Sequence, residues 1–330
     1  MLFVSTITPL RISFVGGGTD YPKYLKKNIG RVISASINKY VYVTIKAHSL
    51  VYPENFRIMY SKTESVNKVK DIKNNIVREC LKLLPIKIPV SIHLMSDLPP
   101  ESGTGSSSSF VVGLLKALHE FRGEKNVTPK QLAEEACYIE IVKLKKSCGK
   151  QDQYSAAYGG LNEIIFFKNK TIVNPIKIPK KNINFIFNNL CLIWTGIKRN
   201  SNNITKTYDF YSKKKLEVLN ELKNLVIHFK KNLYKDKMNI NILNNALHMS
   251  WDLKKKFNSN ISNKQIDIIY KKLNKIKLFG GKLLGAGGGG FFLTLHQNNK
   301  KKLDNLFNKK NIFYLKFESK GSRILYKIKD

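Results

Sequence analysis

The sequence predicts a mixed helix-and-strand protein built as two intimate lobes, and three observations predict it. β-Branched and aromatic runs fill the first sixth of the chain, notably residues 32–37 and 40–45, as half-buried strands require. Helical spacing takes over in roughly 203–278, where Leu216, Leu219, Leu222, Leu225 and Val226 form one apolar stripe. Neither a long linker nor an internal repeat separates these regions. A break near residues 156–166 divides the chain into lobes at 1–160 and 161–330, and 330 residues suffice for a large core.

Composition narrows the function. With 42% hydrophobic and 25% charged residues the chain has the balance of a soluble globular protein. Its longest uncharged apolar run, residues 283–295, is too short and glycine-rich to span a bilayer, so no membrane partner is expected. The first 14 residues lack a basic start, and Pro9 and Arg11 interrupt them, unlike a signal peptide. Cys80, Cys137, Cys148 and Cys191 form no CxxC pair and read as reduced thiols of a cytoplasmic protein. The formal charge of +35 raises the possibility of nucleic acid. The lysines, however, are scattered among asparagines with no RNP-like or zinc-finger pattern, so solvated helix faces explain them and no nucleic-acid partner is expected. Such a field also favours anionic substrates.

In chain order, a first strand ends in Val15-Gly-Gly-Gly18, followed by Thr19, Asp20 and Tyr21. Gly17 and Gly18 permit close approach of a ligand, and Thr19 and Asp20 supply hydrogen bonds suited to a polyhydroxylated molecule. A tight turn with Asp20 capping a helix over 21–27 is the alternative. Arg11, inside the apolar strand, requires a partner. Further strands are expected at 31–47 and 51–60, then a helix over 72–84.

A strand over 90–95 leads into Asp97-Leu-Pro-Pro-Glu-Ser-Gly-Thr-Gly-Ser-Ser-Ser-Ser-Phe110, and an apolar helix leads out. Gly103 and Gly105 leave room for an anion near the backbone, while Ser106, Ser107, Ser108 and Ser109 fall where unpaired N–H groups and the helix dipole favour phosphate. Their hydroxyls suit a nucleotide-borne magnesium ion. No lysine follows Gly105, which excludes a Walker loop, and Ser108 stands where a dinucleotide fingerprint needs glycine or alanine. A serine-rich cap on an ordinary helix remains the alternative for the loop alone.

Thr128 and Pro129 start a helix expected to run to 142, with Gln131 completing the cap. Asp152 opens a short helix closed by Gly159-Gly160, strands follow at 161–167 and 190–195, and Met249 and Trp251 read as core. In Gly280-Gly-Lys-Leu-Leu-Gly-Ala-Gly-Gly-Gly-Gly290 the glycines enter a strand, unlike a Rossmann motif, and suit packing beneath another loop. A helix over 303–308 and a closing strand pair within 312–328 end the chain.

Three glycine motifs in this order, with an aspartate between the second and third, resemble the GHMP small-molecule kinases along essentially the whole chain. Residues 9–21, 100–109 and 282–290 look like the first, second and third motifs. Segments 149–160, 195–203 and 280–292 look closest to the heptose 7-phosphate kinase branch. Thr104 stands where the family usually has leucine, and Ser108 where alanine is common; neither removes a donor. The resemblance implies a two-lobed α+β fold, with a left-handed S5-type βαβ unit in the N-terminal lobe and a mixed helix/antiparallel-sheet C-terminal lobe. It implies ATP and Mg2+, with Pro100, Ser102, Gly103, Thr104, Gly105 and Ser106–Ser109 around the nucleotide. Ser107 and Glu140 would hold the metal. Asp152 would act on the acceptor hydroxyl with Arg11 beside it, and Gly17, Gly18, Thr19, Asp20, Gly287 and Gly288 would meet the sugar. Lys198 and Arg199, in a polar loop after a strand, are the expected site for the phosphate of a sugar-phosphate acceptor. The implied reaction forms heptose 1,7-bisphosphate on the way to nucleotide-activated heptose. A kinase for a free sugar and, more distantly, a basic nucleic-acid binder are the alternatives. Oligomeric state is left open by the sequence.

Overall fold

The computed structural model describes residues 2–198, 201–236, 238–275, 280–296 and 300–329. Arg199 lies outside the described residues. Two sheets organise the protein. The first contains β1 (Leu2–Val15), β2 (Gly30–Ala47), β3 (Phe56–Met59), β4 (Thr63–Val66), β5 (Val90–Ser96), β6 (Leu161–Phe166), β7 (Thr171–Pro175) and, from the end of the chain, a strand at Arg323–Lys329. That last strand flanks β1; the order then runs β1-β2-β5-β3-β4, with β6 also on β2 and β7 beyond it.

The length of β2 makes this branching possible. Its first residues, Gly30 to Ala35, pair with β6, its last, Val41 to Ala47, pair with β5, and β1 runs antiparallel along most of it. The β1/β2 register shifts between Pro9 and Leu10, where proline has no N–H to give the ladder. From Val4 onward β1 is buried at every position rather than at alternate ones. Helices cover it on both sides, which selects a continuous apolar strand and leaves Arg11 with no route to solvent.

The helices include α1 (Pro22–Leu25), α2 (Asn75–Leu83), α3 (Ser106–Phe121), α4 (Pro129–Cys137), α5 (Gln151–Tyr158), α6 (Lys180–Asn188), α7 (Ser201–Thr205), α8 (Lys213–Leu233), α9 (Ile240–Phe257), α10 (Lys264–Lys275) and α11 (Lys300–Leu306). α3 packs on β1 and β2, as does α8, and α9 packs on β1. The second sheet is antiparallel, in the order β11-β8-β10-β9, from β8 (Leu190–Trp194), β9 (Lys282–Leu283), β10 (Phe291–Leu295) and β11 (Ile312–Tyr314). Residues Arg323–Lys329 form β12. Among the described residues no helix is long and apolar enough to cross a membrane.

Several local expectations are corrected. The strand over 51–60 contracts to β3, because residues 48–55 turn. The helix over 72–84 begins at Asn75, since the Asn74 side chain accepts from Val77 N and caps it. Thr128 caps α4 by accepting from Gln131 N at 3.1 Å, but the helix passes into a π-helical turn at Tyr138–Lys143. β11 and β12 do not pair with each other: one joins β8, the other β1. Trp251 is fully buried, whereas Met249 is exposed on the opposite side of α9. Asp20 does not cap α1; Tyr21 occupies that cap position without a side-chain bond.

Candidate active site

A cleft of about 1010 Å3 is bordered by the end of β1, the serine loop, the π-helical turn, α5, α9 and the last glycine motif. The loop before α3 forms part of its border. Gly103 and Gly105 have φ of 86° and 79°, the left-handed region that favours glycine. At Gly105 a side chain would also meet Arg11 Cγ at 3.3 Å and Asp152 Oδ2 at 3.5 Å. The loop is tied to β1 by Arg11 N donating to Thr104 O at 3.0 Å, and by Arg11 Nη1 donating to Gly103 O at 2.6 Å.

Pro100, Gly103, Gly105, Ser106, Ser107 and Ser108 border the cleft. Ser102 and Thr104 are buried and bond each other at 2.9 Å, and Ser109 Oγ donates to Pro9 O at 2.9 Å. These three side chains are therefore occupied within the fold. The amides that begin α3 have no carbonyl one turn earlier and face outward as donors. Ser102 O accepts from Phe291 N at 3.0 Å, and a side chain at Gly290 would lie 2.3 Å from that same oxygen. The third glycine motif thus packs under the second, and its bareness is what lets the two loops touch.

Glu140 is buried on the π-helical turn. Its carboxylate accepts from Ser107 Oγ at 2.8 Å, Ser108 Oγ at 2.5 Å, Gln153 Nε2 at 2.7 Å and Lys146 Nζ at 2.9 Å. Lys146 Nζ also donates to Ser107 Oγ at 2.8 Å. Burial pushes the Glu140 carboxyl up, but Lys146 and the donated hydrogen bonds outweigh it and hold the group below its usual range. A π-bulge at a functional site is a recurring device, and here it aims an ionised carboxylate at a helix start. One carboxylate and one hydroxyl are hard oxygen donors, the kind magnesium takes alongside phosphates. Among the described residues no group of three His, Cys, Asp or Glu gathers as an all-protein metal site.

Arg11 and Asp152 meet at the tip of the same loop. Nε and Nη2 of Arg11 lie 2.8 and 2.6 Å from Asp152 Oδ1, with Arg11 buried and Asp152 about a quarter exposed. Asp20 is fully buried below them. It accepts from Gln151 N at 3.0 Å and Gly18 N at 3.3 Å, and a side chain at Gly149 would collide with it. Burial raises the Asp20 carboxyl most; the Gln151 amide offsets part, and the nearby Asp152 charge adds to the rise. Gly17, Gly18 and Asp20 border the cleft. Thr19 is turned away, donating to Gly16 O and Arg31 O.

The remaining sequence candidates fall elsewhere. Lys198 is exposed and does not border the cleft. Gly287 and Gly288 back onto Ile261 and Ile204, while Gly285 and Ala286 form the cleft edge. Sequence reasoning missed several cleft groups. Ser13 Oγ and Gln151 Oε1 are buried, border the cleft and lack a protein partner. Lys282 Nζ, fully buried, donates to Phe14 O at 3.0 Å and Ser250 Oγ at 3.1 Å. Burial, then the Lys254 and Arg11 charges, push its ammonium well down. Lys254 Nζ donates to Gly285 O at 2.6 Å. Lysine inside the third glycine run was the available signal for Lys282; Lys146 and Lys254 were lost among many lysines.

Known proteins share this fold. Residues 68–160 match the GHMP kinases N terminal domain, and 229–311 match GHMP kinases C terminal. The chain is 32% identical over 316 residues to D-glycero-alpha-D-manno-heptose 7-phosphate kinase of Campylobacter jejuni, covering 91% of each protein. It is 29% identical over 189 residues to Thermotoga maritima galactokinase, covering 55% of this chain and 52% of that one. Among solved structures, a D-glycero-D-manno-heptose 1-phosphate kinase from Bacteroides thetaiotaomicron superposes with a TM-score of 0.79 at 24% identity, covering 99% of this chain and 100% of that one. A putative sugar kinase from Campylobacter jejuni superposes with a TM-score of 0.72 at 26% identity, covering 99% and 98%. With both halves of the fold matched and a full-length relative at 32% identity, this chain belongs to the GHMP kinases.

Proposed function

We propose that this GHMP kinase transfers the γ-phosphoryl group of ATP to the anomeric hydroxyl of D-glycero-D-manno-heptose 7-phosphate, giving the 1,7-bisphosphate. The observation that carries the transfer is the Arg11–Asp152 pair held against Gly105, where the phosphate loop and the acceptor pocket meet. The full-length relative named for heptose 7-phosphate supports the acceptor.

Phosphoryl transfer needs charge neutralisation and an in-line nucleophile more than covalent help. The amides opening α3 would hold the phosphates. Glu140 and Ser107 would hold magnesium, which would supply positive charge for the phosphates. Arg11 fixes one oxygen of Asp152, leaving Oδ2 to accept from the acceptor hydroxyl and set its direction. Asp20, with Gly17 and Gly18, would bind sugar hydroxyls, and the unpaired Ser13 and Gln151 oxygens offer two more contacts. Tyr60, Ile76, Leu94, Leu98 and Phe110 give the cleft a largely apolar border suited to a nucleobase.

The acceptor's own phosphate requires a cation. Lys254 borders the cleft, whereas Lys198 does not, so we assign the far phosphate to Lys254. The test is ADP release from ATP over a panel of phosphorylated and free sugars. Heptose 7-phosphate should be preferred by kcat/KM; preference for galactose or a free heptose would place the protein with the free-sugar kinases.

A further inference from the structure

Two oxygens offered above to magnesium, Ser107 Oγ and Glu140 Oε1, are bridged by a single ammonium group. Lys146 Nζ lies 2.8 Å from the first and 2.9 Å from the second, and all three residues border the cleft. The chain is shaped to deliver this lysine. Lys146 N donates to Glu140 O at 2.9 Å, closing a short loop after the π-helical turn. Lys145 just before it has φ of 50°, a left-handed conformation that costs a non-glycine residue energy. Strain beside the site is thus accepted to turn Lys146 back over Glu140. Lys146 is about one-fifth exposed while Glu140 is nearly inaccessible, so the cation forms the outer side of the pair and has room to leave.

A magnesium ion reaching these two oxygens from the cleft, at about 2.1 Å, would meet an ammonium that already holds both, and repulsion between the two cations favours exchange over joint occupancy. Lysine suits a temporary occupant, being a compact point charge on a flexible stem, unlike the planar fork of arginine. We propose that Lys146 is a resident cation of the magnesium site: it holds Glu140 and the serine loop in place before nucleotide binds, gives up Ser107 and Glu140 to magnesium, and moves its ammonium onto the nucleotide phosphates. This rests on Ser107 and Glu140 being the metal ligands. The device explains how a buried carboxylate stays ionised and aimed at the loop when no nucleotide is present, and it couples metal entry to delivery of a second positive charge.

The experiment measures binding without turnover. Mn2+ alone, followed by electron paramagnetic resonance, is titrated into nucleotide-free wild type, Lys146→Gln and Lys146→Met, with Glu140→Gln as control. If Lys146 occupies the site most of the time, its removal should tighten Mn2+ binding about tenfold. The same variants should bind Mn·ADP no tighter than wild type, because the ammonium that would reach the phosphates is gone. Lys146→Gln keeps a hydrogen-bond donor and guards against a folding defect in Lys146→Met. Unchanged Mn2+ affinity in both variants, with weakened Mn·ADP binding in Glu140→Gln, would overturn the resident-cation role alone. Unchanged Mn·ADP binding in Glu140→Gln would remove the metal site on which it rests.

Discussion

Arg11 grips one carboxylate oxygen of Asp152 with two of its nitrogens, at 2.8 and 2.6 Å, across 141 residues of chain. The pair joins β1 to α5, and Arg11 Nη1 adds a bond to Gly103 O, so strand, helix and serine loop share one guanidinium. A buried arginine in a strand covered on both faces is costly unless it is paired, and here its partners are Asp152 and the loop before α3.

Asp152→Asn should leave a folded protein that still binds ATP, because loop contacts to Gly103 and Thr104 come from Arg11 and the backbone. Turnover should fall about 100-fold or more, since an amide neither orients nor accepts from the hydroxyl as a carboxylate does. Steady-state ADP release alongside nucleotide titration checks both halves; near-normal turnover in a folded variant would remove Asp152 from the reaction.

Gly290→Ala tests the contact between the second and third glycine motifs. Gly290 has φ of 94°, and its new methyl would lie 2.3 Å from Ser102 O. The backbone cannot yield there without disturbing the Phe291 N to Ser102 O bond. We expect a loss of more than about 1 kcal/mol in stability and a raised KM for ATP. A thermal midpoint and KM both equal to wild type would show that the loops do not depend on this contact.

The stability of the α3–α4 region should depend on pH through His119. Its ring is buried between Glu124 Oε2 at 2.6 Å and Glu135 Oε2 at 2.7 Å. Burial lowers its tendency to hold a proton, but the two carboxylates outweigh burial and raise the folded value above the ordinary one. A raised histidine stabilises fully below its unfolded value of about 6.5, and that contribution disappears as pH rises through the folded value. His119→Gln should therefore cost more stability at pH 6 than at pH 9. Equal losses in thermal midpoint at the two pH values would refute the charged triad.

Much of this was legible because backbone demands leave unambiguous residues. Gly103, Gly105 and Gly290 stand where φ is positive or another chain segment touches, and the serine run marks the start of α3. Arg11 announced itself as a cation in an apolar strand. What stayed hidden depends on distant chain segments. A π-helical turn leaves no mark in the 3.6-residue pattern, so the helix over 129–142 looked uniform. β11 and β12 look like a hairpin by proximity, yet each completes a different sheet. Lys146 and Lys254 acquire meaning only from the groups they reach, Glu140 and Gly285, which sequence hides in a chain with so many lysines.

The last prediction separates two cations for the acceptor's phosphate. Lys254 reaches Gly285 O from α9 and borders the cleft, while Lys198 is exposed beyond it. A hydrogen bond to a charged group contributes about 1.5–3 kcal/mol, so losing one should weaken acceptor binding by at least about tenfold. Lys254→Met should raise KM for heptose 7-phosphate by that factor while changing KM for ATP little. An unphosphorylated heptose, already a poor substrate, should be nearly insensitive to the substitution, because it has no anion to lose. Lys198→Ala should stay within about twofold of wild type for both sugars, as an exposed charge is screened by salt. If Lys198→Ala alone raises KM for the phosphorylated sugar, the polar loop after β8 binds the phosphate and Lys254 only braces the fold. Equal effects of Lys254→Met on the two sugars would show that Lys254 supports the glycine motif without contacting the acceptor's phosphate.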